Sequence, residues 1–244
     1  MNLKLAVSRW SAWAPGLDTA EQWLAWARDA HVPEGDDQPA LAEMAPLMRR
    51  RLTRLGRIAL QASWACQIDD TGIPTVFASR YGDVGRSLSL LGDLARDGVV
   101  SPTGFTQSVH NAIGAMYAIA RIDCSNALCV AAGRTSAAAG LIEAAGLLRD
   151  GAKQVLVVCY DEALPADYAE FRDEPPCVWA WAWLVTHPSA GAHQISLAVD
   201  ASSQYSEATP ALPASLEVLR HFLDGSGVLV QHMDGRRWEW QRNA

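Results

Sequence analysis

The amino-acid sequence predicts an α/β protein in which helices cover both faces of a mostly parallel sheet, and three observations carry that prediction. PTVFAS (74–79) and KQVLVVCY (153–160) are short, continuously apolar runs, as expected of strands buried on both faces. Between them, GDVGRSLSLLGDLARDG (82–98), VHNAIGAMYAIARI (109–122) and an alanine-rich stretch over 135–149 carry helical signals. Strand and helix in alternation form βαβ units.

Composition narrows the function. With 244 residues, half of them hydrophobic, the chain suits one large domain with a sizeable core. A net charge of −7 argues against a general affinity for nucleic acid or anionic membrane, which reward a basic surface. The N-terminal MNLKLAVSRWSAW lacks the apolar core and small-residue cleavage site of a signal peptide. Five scattered cysteines without a CxxC pair offer neither a disulfide framework nor a zinc site. The expectation is a reducing cytoplasm and no bound metal.

In chain order, PLMRRRLTRLGRIALQA (46–62) reads as one helix, with Arg49, Arg50, Arg51, Arg54 and Arg57 opposite Leu52, Leu55 and Ile58. PTVFAS follows, then the amphipathic helix over 82–98, which ends on glycine, and the helix over 109–122. NALCVAA (126–132) reads as a buried strand that turns tightly at Gly133 into a helix closing at Asp150 and Gly151. Only Glu143 and Arg149 charge that helix before its cap, which predicts burial within an α/β/α/β/α core or against another subunit. Residues 125–148 mimic a membrane span, but Arg134 near the centre and the reliance on Ala and Gly oppose that reading. KQVLVVCY is the expected central parallel strand. CVWAWAWLVT (177–186) alternates strictly: Val178, Ala180, Ala182 and Leu184 face one way, Trp179, Trp181 and Trp183 the other. The tryptophans read as core or interface. Beyond lie a strand, HQISLAVDA, a helix around ASLEVLRHFL and a final pair of strands ending in RRWEWQR.

The turn at 133 poses the chemical question. Enzymes often place a nucleophile at such a strand-to-helix elbow, where helix-terminal N–H groups lower its pKa. Here the tip holds Arg134. It either pairs with a carboxylate such as Asp161 or Glu162 or points to an interface or solvent, and the sequence leaves both open. Of the thiols, Cys129, Cys159 and Cys177 are expected inside strands, Cys124 just before one and Cys66 near a helix end. Buried thiols hold little thiolate.

From about 47 to 185 the chain resembles a β-ketoacyl synthase of the thiolase fold. The resemblance rests on PLMRRRLTRLGRIALQA, on SPTGFTQSVHNAIGAMYAIAR and on AAGRTSAAAGLIEAAGLLRDGAKQVLVVCYDE. Through FASRYGD, SVHNA, AAG and VVCYDEALPADYAEF it resembles the short ketosynthase-like chain length factors of bacterial aryl polyene clusters. The resemblance implies a layered α/β/α ketosynthase fold over one domain, 1–244. Residues 1–186 would be the N-terminal half and 187–244 a strongly truncated remnant of the second.

In that family the nucleophilic cysteine lies seventeen residues before the glycine that closes the helix. Counting back from Gly151 reaches Arg134, so the cysteine is absent. The family's two C-terminal histidines also have no counterpart, because His187, His193, His221 and His232 stand in no HGTGT-like or GFGG-like context. The resemblance therefore implies a catalytically silent subunit, without cofactor, that pairs with an active β-ketoacyl-ACP synthase and borders its acyl tunnel. Phe105, Val109, His110 and Asn111 are the implied tunnel or interface residues; His110 alternatively makes a structural hydrogen bond. Arg49, Arg50 and Arg54 would dock an acidic acyl carrier protein, or simply form a solvated face. Two other readings stay open: an acyltransferase or thioesterase using Cys129, and a purely structural partner.

Overall fold

The computed structural model describes residues 2–67, 71–189, 193–201, 210–225 and 227–243. The alternation read at 177–186 organises it. Strand β5 (Trp179–Thr186) sends Trp179, Trp181, Trp183 and Val185 into one apolar cluster and Ala180, Ala182 and Leu184 into a second on the opposite face. One eight-stranded sheet separates the two clusters. Its order is β3-β2-β4-β5-β1-β6-β8-β7, from β1 (Asn2–Trp13), β2 (Thr75–Ala78), β3 (Ala127–Val130), β4 (Gln154–Asp161), β6 (His193–Ala201), β7 (Val228–Met233) and β8 (Arg236–Asn243).

The small face of β5 lets α3 (Arg54–Cys66) lie close, with Leu55, Ile58, Ala59 and Ala62 buried against the sheet beside Ile113 and Tyr117 of α6 (Ala112–Arg121). Across the sheet, the indoles fill the space beneath α8 (Ala214–Asp224). Trp181 Nε1 donates to Ser215 O at 2.9 Å, and the rings of Trp183 and Phe222 lie 4.7 Å apart. Helices α1 (Ala20–Arg28) and α7 (Ser136–Arg149) complete that face through Trp23, Trp26, Leu141 and Ala144.

Among the described residues only β3-β2-β4 pair in parallel and the other strand pairings are antiparallel, so the expected mostly parallel sheet is a mixed one. The cause is the connections. Helices link β2 to β3 and β3 to β4, whereas β4 reaches β5 through a loop containing only a short 3₁₀ stretch, Ala166–Phe171. The N-terminal strand β1, which the sequence reading passed over, sits in the middle of the sheet between β5 and β6.

Further expectations are corrected. The described residues contain one sheet rather than the two of a five-layer core. Helix α7 buries one stripe, including Ala137, Leu141, Ala144 and Leu148, and leaves Glu143 and Gly146 exposed. NALCVAA is half-exposed because β3 is the edge of the sheet. Residues 46–62 do not form one helix: α2 (Pro46–Arg49) stops, and Thr53 caps α3 by accepting from Gly56 N at 3.3 Å. A separate helix, α5 (Pro102–Ser108), precedes α6, so Val109 and His110 lie between helices. Cys177 precedes β5 rather than lying in it.

Gly140 faces the sheet so closely that a Cβ there would stand 3.1 Å from Ala78 Cβ and 3.4 Å from Val157 Cγ1. Gly140→Val should destabilise the protein by about 1–3 kcal/mol in chemical denaturation through overpacking. On the same helix, the exposed Glu143→Ala should stay within about 0.5 kcal/mol of wild type.

Candidate functional site

The chain leaves β2 toward α6 on one face of the sheet and leaves β3 into α7 on the other. Adjacent parallel strands with connections on opposite faces open a crevice at their carboxyl ends. Into this crevice project Ser79 and Arg80 after β2, the turn of Gly133 (φ +55°), Arg134 and Thr135 after β3, and Asp161 and Glu162 at the end of β4.

Hydrogen bonds lock the floor. The buried Asp161 carboxylate accepts from Ser79 Oγ at 2.8 Å and from Arg80 N at 2.9 Å, and Ser79 Oγ accepts from Gly82 N at 2.8 Å. His110 Nε2 donates to Ser79 O at 2.9 Å, which realises the structural hydrogen bond. Asp83 caps α4 (Val84–Asp97) by accepting from Arg86 N at 3.2 Å and takes a 2.7 Å bond from Thr53 Oγ1.

Arg134 pairs with neither Asp161 nor Glu162. Its Nε donates to Glu174 Oε1 at 3.3 Å, and the same oxygen accepts from Ala214 N at 2.9 Å, the first residue of α8. Arg80 reaches Glu174 Oε2 with Nη1 at 2.7 Å and Asp173 Oδ1 with Nη2 at 2.9 Å. Sequence reasoning missed Arg80 and Glu174, although FASRYGD displayed the first. Glu174 lies forty residues from Arg134 in an irregular segment, RDEPP, with no periodicity to betray it.

Four of the five thiols are shifted upward by burial. Burial pushes Cys129 up to about 11 and Cys66 to about 12; it pushes Cys177 to about 12 with help from Glu174 and Asp161, and it raises Cys159 as well. His187 Nε2 donates to Leu148 O at 3.1 Å and His193 Nδ1 accepts from Arg242 Nη2 at 3.0 Å, so both serve the scaffold. Among the described residues no group of three or more His, Cys, Asp or Glu is placed to hold a metal, and no helix is long and apolar enough to cross a membrane.

The other predicted site residues divide. Phe105 and Val109 are 61% and 41% exposed, and Asn111 lies on the surface beside them. Phe105 and Val109 are part of a run of exposed apolar residues. Seven of the thirteen large apolar side chains that stand exposed among the described residues fall between 91 and 122, in the helical segment that precedes edge strand β3. Helix α4 is amphipathic yet buries no residue. In the arginine run, Arg49 Nη1 donates to Ala40 O and Leu41 O at 2.9 Å, and Arg54 Nε donates to Asp37 O at 3.1 Å. Both therefore hold the loop before α2, while Arg50 stands in solvent.

A family model described as the N-terminal domain of beta-ketoacyl synthases matches residues 23–241. No curated protein matches the chain. Among solved structures, the complex of the ketosynthase ApeO with its chain length factor ApeC from Xenorhabdus doucetiae contains a similar chain. The two align with a TM-score of 0.83 and 29% identity over 98% of this chain and 100% of that one. The ishigamide ketosynthase/chain length factor aligns at 0.65 with 18% identity over 82% of this chain and 68% of its own. The module 1 ketosynthase of the bacillaene synthase from Bacillus amyloliquefaciens aligns at 0.58 with 16% identity, covering 82% of this chain but 46% of that ketosynthase. The last two likenesses are likenesses of fold.

Burial pushes Asp161 from 3.8 up to about 7 against the hydrogen bonds of Ser79 and Arg80. It pushes Glu162 from 4.5 to about 7, with Asp83 reinforcing and Arg54 opposing. A raised carboxyl pKa stabilises the folded state fully below about pH 4, and that contribution is lost as pH rises through 7. From about pH 5 to 8, denaturation midpoints should therefore shift in favour of Asp161→Asn over wild type by more than about 1 kcal/mol. A difference independent of pH would contradict this origin.

Proposed function

Since the chain belongs to the beta-ketoacyl synthase N-terminal domain family, we propose that it is a non-catalytic chain length factor, the subunit that pairs with an active β-ketoacyl-ACP synthase and shapes its acyl tunnel. One observation carries this reading: the elbow presents an arginine tied to Glu174 where the family's chemistry needs a thiolate. The partner's cysteine would hold the growing acyl chain and condense it with malonyl units, and the product would be a polyene of the aryl polyene kind. This chain's share is to bind and to limit. It matches a chain of similar length in the ApeO–ApeC complex end to end, which supports a short subunit of that type with 187–244 replacing a full second half.

The pairing surface follows from burial. The open edge of β3 and the exposed Leu91, Leu94, Ile119 and Ile122 form an apolar face that a monomer would leave in water. Phe105 and Val109 lie on the same face, where a partner's tunnel would meet them as its far wall. His110 and Asn111 join α5 to α6 and fix the direction in which those two side chains point. Arg50 and its neighbours are the proposed docking point for an acidic acyl carrier protein. A chemistry based on Cys129 is opposed by the burial that raises its thiol to about 11.

Co-expression with a ketosynthase encoded beside it, followed by mass determination and a condensation assay, tests the pairing. A one-to-one complex whose activity requires this chain and survives Arg134→Ala is expected; activity of this chain alone would overturn the reading. Ile119→Asp should weaken the complex by about 2 kcal/mol, roughly thirtyfold in dissociation constant. Phe105→Ala should shift products longer and a bulkier residue at Val109 shorter, whereas a purely structural partner would leave the distribution unchanged.

A further inference from the structure

We propose that the crevice where this family's nucleophile would stand is, in this chain, a carboxylate-binding site that the chain fills with its own Glu174. Three donors from three separate parts of the fold converge on one carboxylate. Arg80 Nη1 comes from the end of β2 at 2.7 Å, Arg134 Nε from the elbow at 3.3 Å and the Ala214 amide from the first turn of α8 at 2.9 Å. Two guanidiniums and the amide end of an eleven-residue helix form a receptor for a planar anion, because each supplies N–H groups and positive potential in fixed directions. Asp173 holds the other Nη of Arg80 at 2.9 Å and so keeps that guanidinium oriented.

The site is built and largely buried. The side chains of Arg80, Glu174 and Arg134 are 11%, 10% and 27% exposed. The cavity beside the cluster, lined by Arg80, Asp161, Glu174, Cys177, Trp179 and Pro213 but not by Arg134, has a volume of about 40 Å³. That is room for roughly two or three water molecules and for no acyl arm. Pro175 and Pro176 stiffen the segment that delivers the carboxylate. A tethered carboxylate binds without the association cost a free one meets, so a malonyl or other free acid loses the competition. The arginine at 134 is then a working part that closes this elbow to acyl groups. All three donors belong to this chain, so the inference is independent of the partner proposed above.

Chemical rescue tests it on the full-length protein, or on its complex if it is purified in one. Wild type, Glu174→Ala and Glu174→Gln are melted in sodium formate and in sodium chloride of equal ionic strength. Glu174→Ala vacates the site, whereas Glu174→Gln removes the charge and keeps the volume. In chloride the alanine variant should melt about 5 °C or more below wild type. Formate should restore about 2 °C or more of that loss and leave wild type and Glu174→Gln unmoved. If the alanine variant fails to fold in chloride, the yield of refolded protein in formate against chloride gives the same readout. Equal responses of all three proteins to formate, or none from Glu174→Ala, would overturn the proposal.

Discussion

The two faces of β5 are the constraint on which the rest of the molecule depends. At each step the strand offers an indole to one side and a methyl group or isobutyl chain to the other. A shift of one residue in its pairing with β4 or β1 would exchange those faces, forcing α3 onto tryptophans and leaving the space beneath α8 hollow. Register is therefore specified by volume as well as by hydrophobicity. β5 is also the hinge of the topology, because the parallel strands end beside it and the antiparallel ones begin there. A wide gap on one side of the sheet and a narrow one on the other suit two different helix layers: α1, α7 and α8 over the indoles, α3 and α6 over the alanines.

What the sequence disclosed follows the same logic. The WAWAW alternation was legible because its two faces differ so much in size, and the βαβ run from 74 to 160 because continuous apolar strands are separated by capped helices. Strand β1 was not. Its burial follows no simple alternation, and a register shift between Val7 and Arg9 breaks the period. The break at Thr53 was hidden because Arg and Leu recur at helical spacing on both sides of it. NALCVAA misled for a different reason: an apolar edge strand and a buried central one share a composition, and only the pairing tells them apart.

At the crevice, the sequence placed Arg134 at the elbow but did not disclose the interaction it makes. Arg134 could be counted to, while its partner lies in a segment with neither periodicity nor motif. Glu174 draws together the elbow, the end of β2 and the start of α8, so the last third of the chain is tied electrostatically to the parallel strands as well as through the sheet. The place where an enzyme would lower the pKa of a reactive group with a helix terminus and nearby cations is spent on joining parts of the fold.

The position of β1 bears on how the protein comes to exist. Ala6 pairs with Thr186 and Leu5 with Ile195, so the strand at the centre of the sheet waits for partners about 180 residues downstream. At ribosomal speeds of about 5–20 residues per second, that interval is roughly 10–40 s. Throughout it, β1 lacks its sheet partners, and the parallel strands made meanwhile lack the neighbour that closes them. The sheet is therefore completed only after β6 emerges, in a step dominated by contacts distant in sequence and correspondingly slow. For this chain, completing the centre of the sheet falls to the end of synthesis, when its most distant contacts can first form.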